Sequence, residues 1–278
     1  MNEKIGSLKK EILQEIDPIL TALTIGTLAV AVRLFGILAM YISAWALTKI
    51  DKNLTKLLND KLSEFGIKGA GNYSVRIMKE KAPNAFALMT PTVFVTQGLL
   101  KFTDDEIMAV MLHEVNHIKN LDLIKRELTD YTFCYIMAGI VVSTGEYMVD
   151  PVLAALLFIS LLSISEISYN VTIGRMHEIQ SDVYAAKFGY SDALISALKK
   201  IDKYYKSRYE DTKFSKMIRK LDELLDEHPT LQTRIEEILK QKELTMILIS
   251  RSYKRLVEFI GKGFGIPDFA LKIKNKIF

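Results

Sequence analysis

The sequence predicts a mainly α-helical protein with one small β-sheet, a metal-centred domain carried on helices that cross a membrane. Three observations predict it: long uncharged apolar runs, a short block of alternating residues, and the pentapeptide His113-Glu114-Val115-Asn116-His117 on a helical stretch. Hydrophobic residues make up 49% of the 278 residues. They are concentrated in a few stretches, as in a membrane protein. The net charge of +4, from 37 basic and 33 acidic residues, is too small and too evenly spread for a nucleic-acid-binding protein. One cysteine, Cys134, lies inside an apolar run, so no intramolecular disulfide is available and a small buried side chain is expected there.

Residues 1–48 are read as an N-terminal segment and membrane anchor. From Ile19 to Leu47 the one charged residue is Arg33, and this run of about 29 residues exceeds the roughly 20 that a bilayer core requires. A cleavable signal would need a shorter apolar core and a cleavage site near the start, whereas a charged segment of about 17 residues precedes this long run, so the anchor is expected to stay. Arg33 in mid-span demands a partner, water or a route to the interface; either a tilted, offset helix or a bent pair of half-spans would provide one.

Residues 49–250 are read as the metal-centred domain. Lys49 to Phe65, with leucines at 54, 57, 58 and 62, predicts an amphipathic helix stopped by Gly66 and Gly69. Strands are expected over 73–78, 85–89 and 92–96, the last two separated by Thr90-Pro91. Thr103-Asp-Asp-Glu106 reads as a capping box opening the helix that carries the pentapeptide. Two apolar stretches, 131–149 and 152–167, are read as a membrane hairpin inserted into this domain, the alternative being two buried core helices. Lys119, Lys125 and Arg126 precede the hairpin and Arg175 follows it, whereas 143–150 carries no Lys or Arg. The positive-inside rule then puts the metal-centred domain in the cytoplasm. Helical patterning resumes from about Asn170 to Phe188-Gly189. Ser191 is expected to cap the next helix, and His228-Pro229 to break the following helical run. The tail, 251–278, has seven basic and two acidic residues among apolar ones, which suits an anionic membrane surface or an ordinary solvated helix.

Residues four apart share a helix face, so His113 and His117 can each place a ring nitrogen on one zinc ion. Glu114 points about 100° round the helix from His113, toward the water that such an ion activates, and is positioned as a base rather than a ligand. A third protein ligand is required if one position is to stay open. Glu178 and, beside it, His177 are both candidates, and spacing alone leaves the choice open.

Taken in order, Asn84-Ala85-Phe86-Ala87, His113-Glu-Val-Asn-His117-Ile-Lys-Asn-Leu-Asp122, Arg175-Met-His-Glu178-Ile-Gln-Ser-Asp182, and His228-Pro229 followed by Arg234 resemble the membrane-embedded zinc metallopeptidases of the HtpX type. These are related to the CAAX prenyl endopeptidases and to stress-activated mitochondrial and bacterial membrane proteases. The resemblance covers roughly residues 70–240. It implies a zincin-like domain holding one zinc ion per chain, with Glu178 rather than His177 as the third ligand. It implies that Asp182 pairs with Arg234 to brace the Glu178 helix, that His228 stands near the zinc to stabilise an oxyanion, and that Asn84, Ala85 and Phe86 lie on the edge to which an extended substrate adds. Asp122 matches a common family position and is expected to be structural. The expected activity is metal-dependent hydrolysis of peptide bonds in polypeptides, damaged or misfolded membrane proteins by resemblance, at the lipid bilayer of the cell membrane. An inactive homologue serving as a binding scaffold is disfavoured because every ligand and the base are present. A prenyl-protein processing enzyme is disfavoured because three apolar segments are few for its large chamber. Two departures stand out: bacterial members begin with two closely spaced spans where Ile19 to Leu47 offers little more than one, and the basic tail has no counterpart.

Overall fold

The computed structural model describes residues 2–144, 151–207, 225 and 228–240. The connection 145–150, with Glu146, and the basic tail 251–278 lie outside the described residues. The chain divides into two compact units, one formed by 1–43 with 124–167 and the other by 44–123 with 168–278.

In the first unit, helix α1 (Asn2–Ala46) is one continuous helix, so the bent pair of half-spans is not formed. Its apolar part, Asp17–Ala46, is about 45 Å long at 1.5 Å per residue, more than a bilayer core of about 30 Å. Arg33 finds its partners in the protein: its Nε donates to Glu127 at 2.9 Å and its Nη2 donates to Asp130, both carboxylates lying on α4 (Asp122–Thr144). A helix pair in lipid gains little from apolar contact alone, so such an ion pair, with close backbone approach, selects the packing. The close approach occurs at Gly26, where a Cβ would come within 2.5 Å of the Tyr135 ring. Beside it, the Thr27 and Tyr135 hydroxyls meet at 3.3 Å.

Helix α5 (Pro151–Tyr169) is apolar on all sides, and Val152, Leu153, Leu156, Ile159 and Ile164 are each more than half exposed. A buried core helix would hide these side chains, so the exposure counts against the two-core-helix reading. Among the described residues, α1 and the run beginning at Val152 are long and apolar enough to cross a membrane. Helix α4 as far as Thr144 is not, because its first turns carry the charges that meet Arg33 and Glu166.

The second unit is built on a four-stranded sheet of order β1-β2-β4-β3: β1 (Thr48–Ile50), β2 (Ser74–Met78), β3 (Ala85–Ala87) and β4 (Thr92–Thr96). β2 and β4 are parallel, and β1 and β3 are antiparallel to them at the two edges. β1 was not anticipated, since three residues directly after an apolar helix give no alternation to read. Val75, Ile77, Val93, Val95 and Ala85 form the inner face. They pack on Leu58 and Leu62 of α2 (Lys52–Glu64) and on Ile107, Met108, Met111 and Leu112 of α3 (Asp104–Asn120). Asp51 caps α2 through Asn53 and Leu54, and Gly66 ends it at φ +67°.

Helix α3 opens with the anticipated capping box, Thr103 and Glu106 each bonding the other's backbone N–H. It is then covered by β3 and β4, by α6 (Arg175–Ala185) and by α7 (Ser191–Lys206), which is why residues 106–116 are all buried. Gly189 turns the chain at φ +86° between α6 and α7. Ser191 does not cap α7: the flanking residue is Tyr190, without a side-chain bond, and the serine is already inside the first turn. Helix α8 (Leu231–Lys240) closes the unit against α6 and α7.

Glu106 also ties α3 to α7, accepting from Ser196 Oγ and Lys200 Nζ, each at 2.6 Å. Burial opposes its ionisation, but the bonds from Lys200, Ser196 and Thr103 outweigh that and hold its carboxyl at about 2. The folded value lies below the unfolded one, so the stabilisation is complete above about pH 4.5 and is lost as pH falls toward 2. Glu106→Gln keeps a capping amide but not the charge. Thermal unfolding at pH 7 is expected to show a loss of about 2 kcal/mol, allowing for solvent screening of the half-exposed Lys200, and the gap from wild type should close below pH 3.

Candidate metal centre

His113 and His117 lie one turn apart on α3, and Glu178 enters from the first turn of α6. His117 Nε2 stands 3.0 Å from His113 Nε2 and 3.2 Å from Glu178 Oε1, and His113 Nε2 is 3.5 Å from Glu178 Oε2. Ligands at 2.0 to 2.1 Å around a tetrahedral ion sit about 3.3 Å apart, a spacing these contacts bracket, with one Glu178 oxygen facing each imidazole.

The orientation of the two imidazoles is set from behind. Asp182, completely buried, lies 2.9 Å from His113 Nδ1, and Asp122 lies 2.9 Å from His117 Nδ1. A carboxylate only accepts, so each Nδ1 carries a hydrogen and each inward-facing Nε2 is the atom left to take up a cation or a proton. Two lone pairs at 3.0 Å repel unless a positive charge lies between them. Glu178 Oε2 is buried and has no hydrogen-bond partner among the described residues, a third electron-rich atom aimed at the same place. Burial alone would lower the histidine values. The neighbouring carboxylates reverse this, raising His113 through Glu178 and Asp182, and His117 to about 11 through Asp122 and Glu178. Two imidazoles and one carboxylate, turned inward in a strongly cation-seeking pocket, fit a borderline ion such as zinc.

Arg234 on α8 completes the support. Its Nε and Nη2 donate to the two oxygens of Asp182, each at 2.7 Å, and its Nη1 lies 3.6 Å from Glu178 Oε2. Burial opposes ionisation of Asp182, but Arg234 and then His113 hold its carboxyl below the usual range. Asn116 donates to Ser181 Oγ at 3.1 Å, pinning α3 to α6 between the ligands.

His228 is half exposed, with Nε2 3.5 Å from Glu178 Oε2, so it stands at the rim of the ligand group. Glu114 is buried on α3, and its charge acts on both His117 and Arg234. His177 turns elsewhere, its Nε2 3.5 Å from Asp122 Oδ1, and takes no place in the His113, His117 and Glu178 group. Asn84 fixes the start of β3: its N–H donates to Thr96 Oγ1, its carbonyl accepts from Thr96 N–H, and its side chain accepts from Ala85 N–H. With Asn84 bonded to β4, the backbone groups of Phe86 turn the same way and those of Ala85 and Ala87 turn to the outer edge. The Phe86 ring stacks on its cross-strand partner Phe94 at 4.8 Å. Asp122 was expected to be structural, and what the sequence did not reveal is its specific role of orienting His117. Asp122 follows Leu121, which takes a left-handed φ of 55° at the end of α3, and this break turns the carboxylate back onto His117. An aspartate five residues after the second histidine was the available signal.

The sequence profile of peptidase family M48 matches residues 48–242. The chain belongs to this family. The matched span opens at β1 and closes just after α8, so it takes in every residue of the metal centre, and α1 lies outside it. Among relatives, a "Protease HtpX homolog" of Sulfurovum sp. is 31% identical over 58% of this chain and 67% of its own length. Another from Thermococcus sibiricus is 29% identical over 61% and 68%. "Protease HtpX" of Vibrio campbellii is 30% identical over 63% and 68%. The M48 assignment makes the chain a metallopeptidase, and the HtpX relatives together with two helices long and apolar enough to cross a bilayer support a membrane protein.

Proposed function

We propose that this M48 member is a zinc endopeptidase that cuts misfolded or damaged membrane proteins, with its metal domain on the cytoplasmic side. The observation that carries the reading is the inward-facing triangle of His113, His117 and Glu178 with Glu114 on the same helix. A bound zinc ion would supply a Lewis acid that polarises the scissile carbonyl and acidifies water. Glu114 takes the proton of the attacking water and returns it to the leaving amine. Asp182 and Asp122 hold the two imidazoles in the tautomer that ligates. His228, at the rim, donates a hydrogen bond to the oxygen that gains charge as water adds. The outward backbone groups of β3 other than the Ala85 N–H, which Asn84 occupies, pair with an extended substrate, a mode that reads main chain rather than side chains and so suits unfolded polypeptides. The Lys and Arg residues flanking the hairpin support the cytoplasmic orientation.

The test is metal analysis joined to proteolysis. Purified protein is expected to hold one zinc per chain and to degrade an unfolded membrane protein; Glu178→Ala should lose the metal by 10- to 100-fold in affinity or more, and cleavage with it. Full zinc retention by Glu178→Ala would overturn the ligand set.

A further inference from the structure

The end of α1 is fastened to the sheet. Arg76 on β2, almost fully buried, donates from Nη2 to the Trp45 carbonyl at 3.0 Å and the Thr48 carbonyl at 2.8 Å. Its Nε donates to Thr48 Oγ1 at 2.8 Å, and that hydroxyl donates to the Ala44 carbonyl. The guanidinium also lies 4.3 Å from the centre of the Trp45 ring. Carbonyls that a helix leaves open at its C-terminus are thereby closed by a residue of the sheet, which ties β2 to residues 44–48 of its own unit.

Val75 and Ile77 occupy the inner face of β2, so Arg76 lies on the outer face, and Ile50, its register partner on β1, shares that face. Trp45, Leu47 and Ile50 are 41%, 69% and 53% exposed, a run of large apolar side chains where the protein leaves its apolar helix. Exposed Lys49, Lys52, Lys79 and Lys81 flank them, against Asp51 and Glu80, whose carboxylates are occupied with backbone N–H groups. An aromatic ring and aliphatic side chains rimmed by lysines, continuous with an apolar helix, are what a phospholipid headgroup region accommodates.

We propose that Trp45, Leu47 and Ile50 form a membrane-interface patch that seats the β1 edge of the sheet on the phospholipid surface. β3 then lies three strand spacings away, within about 14 Å of the lipid, and the enzyme captures chain segments that emerge directly from the bilayer. The patch rests on the chain being a membrane protein, and the capture of segments at β3 rests on the substrate role proposed above for that strand.

Trp45 is the single tryptophan of the chain, so site-specific fluorescence is direct. Full-length protein is reconstituted in vesicles of phosphatidylcholine and phosphatidylglycerol, with the reporter moved by Trp45→Phe plus Ile50→Trp. Emission is expected to be quenched by lipids brominated near the headgroup end of the chain and protected from aqueous acrylamide. A control reporter in the same background, Leu57→Trp on α2, should show the reverse. Acrylamide quenching of the Ile50 reporter equal to that of Leu57 would overturn the proposal. A nitroxide at Leu47→Cys in a Cys134→Ala background measures the same depth independently of Ile50. Collision with aqueous nickel rather than with lipid-dissolved oxygen would likewise overturn it. Glu114→Gln protein serves equally well for both measurements, so their outcome is separate from that of the protease reading. In activity, Ile50→Glu is expected to lose cleavage of a membrane-anchored substrate while cleavage of a soluble unfolded peptide is unchanged; equal loss on both substrates counts against the patch.

Discussion

Glu114→Gln is expected to reduce the turnover of unfolded polypeptide by about 10³-fold, with zinc content and thermal stability unchanged, because a positioned general base contributes 10² to 10⁴ in rate. The amide has the size and nearly the shape of the carboxylate, so the packing of α3 is preserved. His113 and His117 are oriented by Asp182 and Asp122, and neither bond involves Glu114. The loss should therefore appear in kcat and not in metal affinity. Rapid mixing of metal-loaded protein with a quenched fluorescent peptide measures it. Equal cleavage by both proteins would remove the mechanism and restore the scaffold alternative.

Asp182→Ala is expected to have the largest effect on the architecture. One carboxylate accepts from His113 Nδ1 and from both arms of the Arg234 fork, and it has no exposure to solvent. Deleting it leaves the Arg234 guanidinium buried without its main counter-charge, which costs about 3 to 5 kcal/mol, and frees the His113 ring to rotate. Zinc affinity should fall 10- to 100-fold as well, since residues that orient ligands carry that much. The two effects can be separated. Arg234→Met in the Asp182→Ala background removes the stranded charge, so stability should largely return while zinc affinity stays low. Calorimetry and chelator competition read the two quantities, and recovery of both together would show that Asp182 acts on the fold alone.

The parts of this design visible in the sequence are those encoded within one helix. The pentapeptide, its capping box and the amphipathic face of α2 are local patterns of fixed period, and each is in place in the structure. The third ligand was not local: Glu178 and His177 are adjacent, and only the rotation of α6 against α3 decides that the carboxylate enters and the imidazole turns to Asp122. The resemblance supplied what spacing could not. Arg33 was legible as a demand for a partner, but the partners Glu127 and Asp130 lie 94 and 97 residues on, beyond any periodicity. Ser191 shows the opposite failure. A residue with the right chemistry stood one position inside the helix, because Gly189 ended the previous turn so tightly that Tyr190 became the flanking residue.

The order of the ligands along the chain has a consequence for biosynthesis. Both imidazoles are made before the excursion of residues 124–167, and Glu178, Asp182 and Arg234 only after it. A ribosome therefore releases no competent blade until residues 124–167 have been synthesised and the polypeptide has come back for Glu178. A nascent chain is harmless to its neighbours through most of its translation, and the cell arms the enzyme only once that detour is behind it.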